Sequence, residues 1–304
     1  MIQDVVEKII NTIPESITSN LLITPMNIDI VLEGGAFNGS YLAGCLIYLK
    51  EIEKRKYIKI HKLSACSVGT LISLVYFIDD ETLMSKIYNI AYNQFKKKAD
   101  INIFKKAFEL IRQYINEDIF AEINNRLYIS YFNIKTGRQK VIYKYKNIEH
   151  LLDVIRRSCS FPYIIDKNLY YKNKYVDGMF PYIFHPTKKY SILYLNLHSI
   201  QHMTGLISVK NEESNLKRVL DGVVSIHTFF VYKRKTEICS FVNEWTCLDH
   251  FKHYLFITSL TIFAYILHNI YILHRIVQKK FKNNITISSV LNYTYNLFIK
   301  HYCV

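Results

Sequence analysis

The stretch His61–Gly69, HKLSACSVG, followed at once by the helix-like run Thr70–Ile78, constrains this chain more than any other. Apolar alternation at Ile58, Ile60 and Leu63 predicts a short strand. The strand ends in a turn of small residues carrying Ser67, and a helix begins directly behind it. Small-x-Ser-x-Gly between strand and helix is the layout of a nucleophile elbow, here Ala65, Cys66, Ser67, Val68 and Gly69. Such a turn lifts a hydroxyl clear of the sheet edge. Positions 65 and 69 face each other across it, so a bulky residue at either would push the backbone out of its strained conformation. The helix behind aims its free amides and positive end at the place where an oxyanion would form. An ordinary strand-to-helix turn accounts for the same residues, and the motif alone leaves both readings open.

Glycine narrows the choice. The chain has only nine, and five of them, Gly34, Gly35, Gly39, Gly69 and Gly178, fall in three short stretches. So sparing a use predicts glycine where the backbone must enter unusual conformations or approach a ligand closely. The first stretch, GGAFNG, joins a strand over Asn27–Glu33 to a helix from Ser40 to about Lys56. That helix has an apolar face of Leu42, Cys45, Leu46, Leu49 and Ile52. A loop in this position exposes backbone amides to an anion at the helix start. A nucleotide phosphate is one such anion, although the loop has neither the Gly-x-Gly-x-x-Gly order nor the Lys-Ser/Thr ending of phosphate loops. The oxygen of a tetrahedral intermediate is another.

Further along, residues 81–113 read as a lysine-rich helical region with an apolar face, either a packed outer helix or a cap. Tyr128–Tyr143 reads as a hairpin turning at Gly137. A helix over Ile148–Arg157 leads into Ser158–Pro162, SCSFP. A second hairpin, NLYYKNKYVDG, then places Asp177 and Gly178 at a strand end, and Ser191–Leu197 is an apolar strand.

The set GGAFNG, then ACSVG about thirty residues later, then SCSFP leading to VDG, resembles the patatin-like phospholipase family over roughly Ile28 to Leu197. The resemblance implies an α/β fold, a three-layer α/β/α sandwich, here with a helical and partly hydrophobic C-terminal extension. It divides the chain into an N-terminal helical segment (1–27), a patatin-like catalytic domain (28–200) and a helical C-terminal region (201–304). It also implies a Ser–Asp dyad hydrolysing acyl esters of lipids, with phospholipid or another lipid ester as substrate and no cofactor or metal. Carried over residue by residue, Ser67 is the nucleophile and Asp177 the base, and the amides of Gly34, Gly35 and Ala36 form the oxyanion hole. A carboxylate within hydrogen-bond reach of the hydroxyl, and partly desolvated, is basic enough for that task.

Three departures stand out. Ala36 replaces a third glycine of the family pattern, Asn38 an arginine or lysine, and Met179 a small residue. The first limits backbone freedom, the second removes a positive charge beside the loop, and the third adds bulk beside the base. Together they motivate an alternative function, a catalytically weakened lipid-binding or membrane scaffold of the same fold. Histidines at 185, 198 and 202 follow Asp177 in the order of an α/β-hydrolase triad. Ser67, however, comes after only two strands, and each of the eleven histidines reads as solvated or satisfied in the core. No His, Cys and Asp spacing matches a zinc site.

Composition bears on partners and place. Thirty-nine basic against twenty-five acidic residues leave a net charge of +14, which favours an anionic neighbour. No arginine-rich segment or aromatic nucleic-acid signature accompanies the lysines, so a membrane surface is expected and nucleic acid is not. Six cysteines without C-x-x-C pairing read as free thiols of a reducing compartment. The first residues form an acidic amphipathic helix and no signal peptide, which predicts a cytoplasmic, membrane-associated protein. Tyr254–Leu273 contains no formally charged residue. Twenty helical residues suffice to span a bilayer core of about 30 Å, so a transmembrane helix, an interfacial helix and a core helix all fit this segment.

Overall fold

The computed structural model describes residues 2–98, 102–162, 165, 168–198, 208–209 and 212–280, together with 289 and 293. Cys303 and the greater part of residues 199–211 and 281–304 therefore lie outside the described residues, as does the histidine at 202.

Two strands run parallel at the centre, β1 (Met26–Leu32) and β2 (Ile58–Cys66). On one side β6 (Ser191–Leu195) pairs parallel to β1, and β7 (Cys239–Phe241) closes that edge antiparallel. On the other, β3 (Leu127–Asn133) pairs parallel to β2. Antiparallel to β3 lie β4 (Arg138–Ile142) and the two-residue β5 (Tyr175–Val176). The described sheet thus runs β4-β3-β2-β1-β6-β7, with β5 extending β3.

The period-two pattern sorts each strand onto two faces. Ile28, Ile30 and Leu32 join Leu193 and Leu195 in the main core, while Val31, Ile192 and Tyr194 face the opposite side. Helices flank the sheet, giving a mixed α/β sandwich. The main core receives α1 (Ile2–Ile10), α3 (Gly39–Lys54), α4 (Val68–Ile78), α5 (Glu81–Lys98), α6 (Phe104–Arg112) and α8 (Ile148–Ser158). Ile123 of α7 (Glu117–Ile123), a helix capped by the Asn116 side chain accepting the Ile119 amide, joins the same core, whereas α2 (Glu15–Ile23) has no buried residue. The opposite face is covered by residues 182–184, Val242 and Trp245. Two helices complete the described chain, α9 (Leu216–Tyr232) and the 34-residue α10 (Cys247–Lys280). Cβ atoms at Gly44 and Gly222 would collide with carbonyls of the other helix, so these glycines let α3 and α9 pack backbone to backbone.

Local signals account for most boundaries. Pro14 separates α1 from α2, where the sequence reads as one helix. The lysine-rich region divides into α5 and α6. The β3–β4 hairpin forms as expected, with Gly137 at φ +64° in its turn. The second expected hairpin does not: Tyr171 and Tyr175 make a single bridge, and residues 175–176 pair with β3 instead. Pairing to an existing strand satisfies more backbone groups than a short isolated hairpin can.

The apolar segment 254–273 departs from a bilayer span. Among the described residues no helix is long and apolar enough to cross a membrane. The segment lies within α10, whose apolar residues divide between two faces. Phe256, Leu260 and Ala264 turn inward onto the domain, while others point outward to solvent. A hydropathy window sums both faces and cannot separate them.

Candidate active site

The turn after β2 places Ser67 at φ 49° and ψ −131°, a conformation costly for a residue with a Cβ and held by its surroundings. Ala65 and Cys66 are buried beneath it. Thr70, in the first turn of α4, donates its hydroxyl to the Ser67 carbonyl at 2.7 Å, and the Cys159 thiol reaches the same oxygen at 3.0 Å. A Cβ on Gly34 would lie 2.6 Å from Ser67 Cβ, so the glycine loop passes this close only because position 34 has no side chain. Gly39, at the start of α3, packs on Val68 in the same way.

The SCSFP segment ties the pieces together. Ser158 Oγ accepts the Ser67 amide at 2.9 Å, and the Ser158 carbonyl accepts the Gly178 amide at 2.8 Å. The Ser160 carbonyl accepts the Asp177 amide at 3.1 Å. Residues from three distant stretches are thereby fixed to one another through three backbone amides, accepted by two carbonyls and the Ser158 hydroxyl.

The outcome is a direct contact. Ser67 Oγ donates to Asp177 Oδ2 at 2.7 Å, and the Met179 amide donates to Oδ1 at 3.2 Å. Burial pushes the Asp177 carboxyl up to about 7, against the lowering effect of those two hydrogen bonds. A carboxylate so placed is a far better proton acceptor near neutrality than an exposed aspartate.

Gly34, Gly35 and Ala36 line a cavity of about 550 Å³ together with Ser67, Val68 and Asp177. The remaining wall is mostly apolar, with Leu71, Ile72, Met84, Ala91 and Phe104 among its residues. Its size falls in the range of small-molecule sites, roughly 300–1,000 Å³. Among the described residues no group of three or more His, Cys, Asp or Glu could hold a metal ion.

The departures take physical form here. Ala36 sits at φ 42° and Met179 at φ 44°, conformations glycine enters freely and side chains do not. Asn38 is fully buried, and Arg218 of α9 donates to its Oδ1 at 2.6 Å. Arg218 also binds Glu212 at 2.6 Å and the Ser208 carbonyl at 3.0 Å. A guanidinium therefore does stand beside the loop, supplied from another helix.

One constellation has no counterpart in the sequence reading. Glu33, the residue before Gly34, is fully buried. Its carboxylate accepts the Leu197 amide at 3.1 Å and the Tyr194 hydroxyl, and lies 3.5 Å from His198 Nε2. Burial raises the Glu33 carboxyl, against the lowering effects of His198, the Tyr194 hydroxyl and the Leu197 amide. His198 lines the cavity, its ring 4.8 Å from that of Phe256 on α10. A charged residue closing an apolar strand just before the glycine loop was the one available signal, because a buried carboxylate requires partners.

The sequence model of the patatin-like phospholipase family matches residues 30–182. The chain belongs to the patatin-like phospholipase family. A mouse (Mus musculus) omega-hydroxyceramide transacylase is 24% identical over 167 residues, covering 52% of this chain and 27% of that relative. The match thus spans about a quarter of the relative's length. Among solved structures, the ExoU–SpcU complex of the type III secretion system of Pseudomonas aeruginosa is similar with a TM-score of 0.43 and 14% identity, over 71% of this chain and 53% of that one. VipD from Legionella pneumophila is similar with a TM-score of 0.30 and 11% identity, over 55% and 49% of the two chains.

Proposed function

We propose that this patatin-like protein is a lipid acyl hydrolase that cleaves acyl esters of membrane phospholipids through a Ser67–Asp177 dyad. The observation that carries this reading is the 2.7 Å hydrogen bond from Ser67 Oγ to Asp177 Oδ2 on the wall of an apolar cavity. The Ser67 oxygen attacks the ester carbonyl as its proton passes to Asp177 Oδ2. The carbonyl oxygen becomes an oxyanion facing the amides of Gly34, Gly35 and Ala36. As the intermediate collapses, the bond to the alcohol breaks and Asp177 returns the proton to the departing oxygen. Water then attacks the acyl-Ser67 ester and gives its proton to Asp177. The fatty acid leaves, and Ser67 recovers its hydroxyl hydrogen from Asp177.

The cavity's apolar wall suits an acyl chain, and its few polar groups cluster at Ser67, where the ester would sit. The net charge of +14 suits work at the anionic cytosolic face of a membrane. Hydrolysis of phospholipid vesicles by the full chain and by Ser67→Ala tests the reading. Release of fatty acid by the parent and none above background by the variant is expected. Equal release by both would contradict it.

A further inference from the structure

Helix α10 carries apolar side chains on opposite sides. Its inner face, Phe256, Leu260 and Ala264, is one wall of the cavity that holds Ser67. Its outer face presents Leu248, Phe251, Leu255, Ile262, Ile266 and Leu273, all between 48% and 63% exposed. At 3.6 residues per turn those six positions fall within roughly a sixth of the helix circumference, a straight stripe about 38 Å long. An exposed apolar stripe of this length calls for a partner.

Charge identifies the partner. Exposed Lys252 lies beside the stripe on the helix itself. Exposed Lys233 and Arg234 are held at its N-terminal end, because neighbouring Lys235 binds Asp249 at 2.7 Å. Further along, the β3–β4 turn, with exposed Lys135 and Arg138, packs at Gly137 against the Tyr265 hydroxyl of α10. An apolar stripe between basic groups matches a bilayer whose acyl region is rimmed by anionic headgroups. A second copy of the chain would cover the stripe but set two basic rims against each other in a protein of net charge +14.

We propose that the outward face of α10 is the docking surface for an anionic lipid bilayer. The helix that walls the acyl cavity is then also the element that touches the membrane, and substrate enters from the surface on which the protein rests. The choice of lipid as partner rests on the hydrolase reading above. Binding itself is measurable without turnover.

The test uses the full chain carrying Ser67→Ala and co-sedimentation with vesicles of phosphatidylcholine, with and without phosphatidylglycerol. Sedimentation with the anionic vesicles, weakened by salt, is expected. Combining Phe251→Ser, Leu255→Ser and Ile262→Ser should lower partitioning by about tenfold or more, since each removes apolar area from the interface. The pair Leu22→Ser and Ile23→Ser, exposed on α2 away from the site, should leave it unchanged. Equal sedimentation of the triple variant and its parent overturns the proposal, as does failure of the parent to bind anionic vesicles. A dimer in sedimentation velocity that the triple variant disperses overturns it too, because a second copy then covers the stripe. Vesicle binding as expected without any hydrolysis by the Ser67 parent leaves the docking surface standing and removes the hydrolase reading alone.

Discussion

Arg218 Nη1 donates to Asn38 Oδ1 across 2.6 Å, joining residues 180 positions apart at the back of the glycine loop. Both are buried, and the guanidinium charge is balanced by Glu212. A basic residue at position 38 would bring a second cation into the same space. Asn38→Arg is therefore expected to lower stability by about 3 kcal/mol. Adding Arg218→Met should recover at least about 1 kcal/mol of that loss. Urea melts of the two single variants and the double give the coupling. Simple additivity would show that the two positions do not exchange the charge.

The pH dependence follows from Asp177. In the proposed dyad only its carboxylate form takes the Ser67 proton, and burial raises its carboxyl to about 7. The rate of ester hydrolysis at low substrate should rise with pH through about 7 and level off above it. Stability runs the other way. A group whose folded-state value lies above its unfolded value stabilises the fold at low pH, and that contribution is lost as pH rises to about 7. Asp177→Asn removes the buried charge, so it should abolish activity yet raise stability at pH 8 by about 2 kcal/mol. Thermal melts of parent and variant at pH 5 and pH 8 check this. An equal difference at both pH values would rule out a buried carboxylate as the cause.

Much of the fold is legible in the sequence. The strands at Met26–Leu32 and Ile58–Cys66 are legible in the apolar alternation of Asn27–Glu33 and of Ile58, Ile60 and Leu63, and the tight turn at Ser67 in the small residues around it. The order of the three motifs is that of the family whose model matches residues 30–182. What the sequence hid were long-range contacts. Nothing near Asn38 reveals that Arg218 reaches it, and nothing in SCSFP shows Ser158 accepting the Ser67 amide. Position along the chain also hid the pairing of Glu33 with His198, and an averaged hydropathy hid the two faces of α10.

If the proposed acyl hydrolase seats its acyl chain in this cavity, the cavity wall sets chain-length preference. Ala91 on α5 is a buried lining residue, so Ala91→Phe fills part of the space with a ring. The ratio of long-chain to short-chain ester hydrolysis should fall about tenfold, the scale of one to three kcal/mol for pocket filling. Esters of butyrate and palmitate compared under one condition measure it. An unchanged ratio would place the acyl chain elsewhere.

Backbone strain at Ala36 makes a separate expectation. Its φ of 42° disfavours a side chain, whereas glycine accepts it. Relief of about 1 kcal/mol of strain is partly offset by the greater freedom of glycine in the unfolded chain, about 0.4–1 kcal/mol. Ala36→Gly should therefore change stability by less than about 1 kcal/mol while preserving turnover. Denaturant melts with parallel ester assays decide this. Loss of turnover would mean that the alanine methyl group itself is needed at the site.

The central claim is that the Ser67 hydroxyl is activated by the Asp177 carboxylate beside it. A fluorophosphonate reacts covalently only with an activated serine, and peptide mass spectrometry locates the adduct. Stoichiometric labelling on Ser67, lost in Asp177→Asn although that variant stays folded, is the predicted result. An unlabelled Ser67 in the parent, or undiminished labelling of Asp177→Asn, would contradict the account.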